Sequence, residues 1–323
     1  MQLSVRDRKE LKKIYILLVV AVLASIVFIF IGVNKSNSSY LLSKRLPKIA
    51  AIVISGGCIA FSSVIFQTIS NNRILTPSIL GLDSVYSFIQ TIVVFIFGSG
   101  SIVMTNKNLN FVLSLIGMLL ISSLLYKMVF SNKDNSIMQL LLVGLIIGTL
   151  FSSLTSFMQV LIDPNEYLTL QNKLIASFNN VNTDILLLSV LIILGMIPFI
   201  YDDFKFLDVM SLGKEQAVNL GVFYDGVMKK MMVVVAILTA IPTALVGPIT
   251  FLGLIVVNVT YQVIKSYKHK YLISAAVLIS MCSLIIGLIF VEKVFAFNTT
   301  LSVIINFIGG VYFLYLLLKE NKL

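Results

Sequence analysis

Apolar runs of roughly 18–22 residues recur along the whole chain, separated by short polar stretches that carry most of the charge. Each run is long enough to cross a hydrocarbon core about 30 Å thick. Ten spans can be laid out, at 14–33, 49–70, 79–98, 109–128, 137–161, 184–200, 227–247, 249–264, 271–290 and 299–318. The pattern predicts an all-α, polytopic membrane protein: a basic tail over 1–13, then a single transmembrane domain over 14–323. The first run is too long for a signal-peptide core and lacks a small-residue cleavage site, so it reads as a retained span.

Three features depart from plain membrane helix, the first of them a pair of breaks. ILTPSILGLDSVY is broken by Pro77 and Gly81, and VGPITFLGLIVVN by Gly247, Pro248 and Gly253, which marks 247–264 as a broken helix. Irregular backbone at membrane depth needs protein or a water-filled cavity around it, although a short inner loop is the plainer reading of the first break. The fifth span carries Gly144, Gly148, Ser152 and Ser156 at i+4 steps, with Gln159 beside them. Such a stripe serves either a tight helix contact or a polar translocation path or subunit interface. The third departure is the hydrophilic run 201–230, helical by pattern and punctuated by Gly213, Gly221 and Gly226. Asp202, Asp203, Asp208 and Glu215 suit an anionic leaflet poorly, so a protein partner fits the 203–226 segment better.

Composition agrees: 58% of the 323 residues are hydrophobic, 12% charged, and the mean hydropathy is +1.02. The net charge of +10 reflects topology. Seventeen of the 24 lysines and arginines fall in segments on one face and seven on the other. That bias places both termini in the cytoplasm and makes a nucleic-acid partner unnecessary. Pro47 suits the first turn of the second span. Cys58 and Cys282 read as small packing residues, and His269, in YKHKY at an inner helix end, as solvated. No ligand spacing points to a metal.

Ionisable residues are almost absent from the span interiors, and no G-x-x-x-x-G-K-[ST] occurs. An ion-coupled secondary carrier for a polar solute would need a coupling site and inverted repeats, and an intramembrane enzyme a nucleophile–base pair or metal cluster. Uphill transport by this chain would draw its energy from another polypeptide.

SLGKEQAVNLGV at 211–222, followed by GPITFLGLIVVN at 247–258, resembles the FecCD/BtuC-type permeases of importers for iron–siderophores, haem and cobalamin. R-L-P-K at 45–48, Q-x-x-x-x-N-x-x-L-x-P-x-x-L-G from Gln67 to Gly81, and G-G-V-Y-F-L-Y-L-L-L at 309–318 extend the likeness. The wording T-P-S-I-L-G and G-P-I-T-F-L-G-L is most similar to permeases of catecholate and petrobactin-type siderophores. Val257, Asn258 and Tyr261 depart from the family's P-H-x-x-R, Arg73 and Ile74 from its N-P-L, and Val311 from its closing proline.

The resemblance implies a type II importer fold of about ten helices in the bacterial cytoplasmic membrane. It implies a second permease subunit, two cytoplasmic ATPase subunits that bind ATP and Mg, and an extracytoplasmic siderophore-binding protein. No cofactor is expected on this chain, and no catalytic site. By the same resemblance Ser211, Leu212, Gly213, Glu215, Ala217, Leu220 and Gly221 would couple to the ATPase, and Arg45 and Lys48 would dock the binding protein. The family's other cargoes, haem and cobalamin, remain the alternative substrates.

Overall fold

A computed structural model describes residues 5–34, 38–130, 137–179, 181–296 and 298–320, and every regular element among them is helical. The polar stretch SNKDNS at 131–136, which reads as an inner turn between the expected fourth and fifth spans, lies outside the described residues. The bundle is built on α2 (Ser38–Ser70), which packs along α11 (Tyr224–Val246) on one side and α13 (His269–Lys293) on another. Small residues permit the close approach: a Cβ at Gly56 would lie 2.9 Å from Ser280 Oγ of α13. Around this centre stand α1 (Val5–Phe30), α5 (Lys107–Phe130), α6 (Ile137–Leu161), α8 (Thr183–Tyr201) and α14 (Leu301–Glu320). Their outward faces expose Leu, Ile, Val and Phe, as lipid-facing helices do.

Eight helices are long and apolar enough to cross a membrane. The expected third and eighth spans are shorter: α3 (Leu82–Phe97) has 16 residues and α12 (Leu252–Val263) has 12. At 1.5 Å per residue they rise about 24 and 18 Å, less than a hydrocarbon core. Each starts at a Pro/Gly break, so part of each expected span is irregular chain.

Other expectations are also revised. The basic segment 1–13 is no separate tail, because α1 begins at Val5. Lys13 Nζ donates to the Val263 carbonyl (2.8 Å), and Asp7 pairs with Lys268 (2.9 Å), pinning that end to the inner side. Helix α2 starts at Ser38, two turns before Pro47, which therefore lies inside it. Between the expected fifth and sixth spans the chain folds as α7 (Pro164–Leu174), with Asp163 accepting from the Asn165 N–H as N-cap and Pro164 in the first turn. A four-residue helix, α4 (Ile102–Thr105), precedes α5. His269 is buried, not solvated.

Candidate functional site

The inner run folds into two short helices, α9 (Phe204–Met210) and α10 (Lys214–Asn219), joined by a turn through Ser211, Leu212 and Gly213. Ser211 Oγ donates to the Asp208 carbonyl at 2.7 Å. Gly213, with φ 98°, opens α10, and its carbonyl accepts from the Ala217 N–H. The end of α10 is a Schellman motif: the Val222 N–H reaches the Ala217 carbonyl (3.0 Å) and the Gly221 N–H that of Val218 (2.9 Å). Gly221 adopts φ 84°, the left-handed conformation that this cap requires. Ala217 and Val222 are buried beneath it, as are Leu207 and Met210 of α9. The outer surface exposes Leu212, Val218, Leu220 and Phe223, the last 79% exposed, together with Glu215.

This apolar knob is tied down by charge. Asp203 pairs with Lys230 at 2.6 Å and Lys214 with Asp225 at 3.0 Å. Asp208 accepts from the His269 backbone N–H and meets its ring Nδ1, both at 2.7 Å, while ring Nε2 lies 2.7 Å from Thr68 Oγ1 of α2. Partial burial works to raise the Asp208 carboxyl, but the bonds from His269 prevail and hold it below the usual carboxylate range. One imidazole thus links α9, α13 and the central helix.

The two broken elements meet inside the bundle. After α2, Asn71 takes a left-handed turn (φ 48°), and Asn72 Oδ1 accepts from the Ile74 N–H. The chain then enters a 3-10 turn, Pro77–Leu80, and Gly81 (φ 79°) starts α3. A Cβ on Gly81 would stand 2.8 Å from the Cα of Gly148, and one on Gly144 3.0 Å from the Cα of Leu80. The glycines of the small-residue stripe therefore receive backbone from the same chain, which decides the tight-contact reading for them. Further along the stripe, Ser152 Oγ donates to Ser84 Oγ (3.0 Å), and Gln159 Nε2 lies 3.5 Å from Thr91 Oγ1. Ser152 and Ser156 stay exposed.

On the other side, Gly247 (φ 100°) ends α11 so close to Ala176 that a Cβ would come within 2.7 Å of its Cα. Pro248 follows, Thr250 Oγ1 donates to Asp83 Oδ2 (3.0 Å), and Gly253 packs on Ser63 of α2. A cavity of about 20 Å³, lined by Ser62, Ser63, Ser78, Asp83, Thr243 and Thr250, lies between the two breaks. Asp83 is thus a partnered carboxylate joining both breaks, a role that its place at the edge of the first break does not reveal.

The departures from the family wording also meet. Asn258 Nδ2 donates to the Arg73 carbonyl at 3.1 Å, and the Arg73 guanidinium lies 4.6 Å from the centre of the Tyr261 ring. Arg73 and Tyr261, two of these departures, are thus joined by a cation–π contact. No spacing rule links positions so far apart.

The outer pair splits. Lys48 Nζ donates to Asn179 Oδ1 at 2.9 Å. Arg45 is 5% exposed: Nη2 pairs with Glu292 (2.8 Å), Nη1 donates to the carbonyls of Ile29 (2.9 Å) and Ile31 (2.6 Å), and Phe28 lies beneath. It clamps α1, α2 and α13, with its guanidinium engaged inside the chain. Among the described residues no cluster of His, Cys, Asp and Glu could hold a metal ion.

The model of the FecCD transport family matches residues 11–319. The chain belongs to the FecCD transport family. It is 56% identical over 310 residues to the petrobactin import system permease protein YclO of Bacillus subtilis (strain 168), covering 96% of this chain and 98% of that protein. It is 33% identical to the petrobactin import system permease protein FatC of Bacillus anthracis, covering 98% and 92%. Among solved structures, a metal-chelate type ABC transporter in an inward-facing conformation aligns with a TM-score of 0.82 at 23% identity, covering 96% of this chain and 99% of the other. That likeness shows the same fold, and the eight membrane-length apolar helices together with the family make the chain a multi-pass membrane protein.

Proposed function

We propose that this chain is the permease subunit of an ATP-driven importer of ferric siderophore chelates of the petrobactin, catecholate-containing type, in a bacterial cytoplasmic membrane. It works beside a second permease subunit, two ATPase subunits that bind ATP and Mg, and an extracytoplasmic chelate-binding protein. The chain itself is not an enzyme and holds no cofactor. The carrying observation is the α9–α10 knob: an exposed apolar surface on a rigid, doubly capped support at the lysine-rich inner side. Residues Ser211 to Gly221 form the surface that an ATPase grips, with Glu215 exposed beside the apolar side chains. The 56% identity over nearly the full length supports the substrate class.

Closure of the ATPases on ATP supplies the differential affinity that shifts such an equilibrium. The knob moves as a unit and hands the motion through Asp208, His269 and Thr68 to α2. The Gly81 and Gly247–Gly253 breaks then let α3 and α12 reorient without unwinding a full helix. Lys48, at the outer end, is the remaining cation for docking the binding protein.

The test is Ala217→Pro. Proline there removes the N–H that bonds to Gly213 and has no room in a buried site. Uptake of the ferric chelate should fall to background in cells, while the binding protein still captures it. Unimpaired uptake would overturn the coupling assignment.

A further inference from the structure

A groove with a volume of about 950 Å³ opens on the side of the bundle between α2, α8 and α13. Its walls are apolar, formed by Phe61, Ile193, Ile197 and Val277 among others, and Gly57 lies in its floor. Along α8 it runs from Val190 to Tyr201, about 16 Å at 1.5 Å per residue. That is about half of a 30 Å hydrocarbon core, the depth of a single leaflet. Its inner mouth carries Lys205, Lys268 and Lys270 with Asp202 and Asp208.

The rim charges are not equivalent. Lys268 is engaged by Asp7 (2.9 Å) and Asp208 by His269 (2.7 Å). Lys205 and Lys270 are exposed and lie near aromatic rings, Phe206 at 5.1 Å and Tyr271 at 4.8 Å. Among the described residues no carboxylate pairs with either. Against the single carboxylate of Asp202 they leave one positive charge in excess at this end of the groove.

We propose that this groove is a binding site for one anionic phospholipid of the cytoplasmic leaflet, its acyl chains along α8 and its phosphate between Lys205 and Lys270. Basic pockets between helices at the cytoplasmic face suit such headgroups. A purely apolar surface would hold any lipid alike. The lysines, and the end of the groove that bears them, select charge and leaflet.

The test uses the full-length protein, delipidated in detergent and titrated with dioleoyl phosphatidylglycerol, phosphatidylethanolamine or phosphatidylcholine, with retained lipid counted by native mass spectrometry. Phosphatidylglycerol should be held preferentially. Lys205→Gln with Lys270→Gln should weaken it about five-fold per lysine, whereas Lys205→Arg with Lys270→Arg should not. Gly57→Leu fills the groove without touching its charge, since a Cβ there meets only Val277 at 3.9 Å, and it should lower retention of all three lipids. Equal retention of the three lipids by the wild type overturns the proposal, as does full phosphatidylglycerol binding by the glutamine pair. Should the glutamine pair not fold, Gly57→Leu decides, and undiminished phosphatidylglycerol binding by it overturns the site.

Discussion

Arg45 satisfies two backbone carbonyls and a carboxylate from a buried position, so removing it strands three acceptors at once. Breaking a buried pair by deleting one partner costs about 3–5 kcal/mol. Arg45→Met should therefore lower the thermal unfolding midpoint of the detergent-purified protein markedly, and adding Glu292→Gln should cost less than the two changes summed. A variant as stable as the parent would show that the clamp carries no load. Asp208 offers a second reading at this scale. Its carboxyl lies lower in the folded protein than in the unfolded chain, so its contribution is present above about pH 4 and fades as pH falls through its depressed value. The stability gap between the protein and its Asp208→Asn variant should be constant near neutrality and close under acid. A gap that widened in acid would contradict the bonding seen to His269. Neither role is legible in the sequence. A cation at an outer helix start reads the same whether solvated or clamped, and Glu292 lies 247 residues from Arg45. His269 looks solvated in YKHKY because its partners, Thr68 and Asp208, come from distant elements.

Among the elements, the long helices are legible because length and apolarity alone specify them, and the α10 cap because Leu220–Gly221–Val222 spells its Schellman motif. Depth is not legible. Pro77, Gly81, Gly247 and Pro248 announce breaks, yet nothing local says where α3 and α12 resume, so both expected spans read longer than the helices are. What decides the depth is contact between elements, above all Gly81 on Gly148. Gly81→Ala would add strain at φ 79° and a Cβ 2.8 Å from backbone, at a cost of about 1–3 kcal/mol. Gly100→Ala, where a Cβ meets nothing within 4 Å, is the matched control. Lower yield and a lower melting point for the first variant alone would fit this packing, while equal behaviour would contradict it.

For the molecule as a whole, the distribution of surface polarity is the deciding feature. Most exposed membrane-level surface is aliphatic, as lipid requires, but α6 also exposes Thr149, Ser153 and Ser156. Each hydroxyl donates to the carbonyl four residues back, at 2.8, 2.9 and 3.0 Å, so each is satisfied as donor and needs no partner to be tolerated. We propose that this row lines a polar path between two permease subunits. Leu154, exposed on the same helix and turned about 100° away from Ser153, serves as the comparison for contact with lipid. In the assembled transporter Ser153→Cys should react with a membrane-impermeant thiol reagent, and reaction should slow when binding protein and chelate are supplied with ATP. Leu154→Cys should stay unreactive, and Cys58 and Cys282, both buried, add little background. Equal labelling at 154 and 153, or labelling at 153 that ignores ATP, would take α6 out of the path and leave its hydroxyls without a transport role.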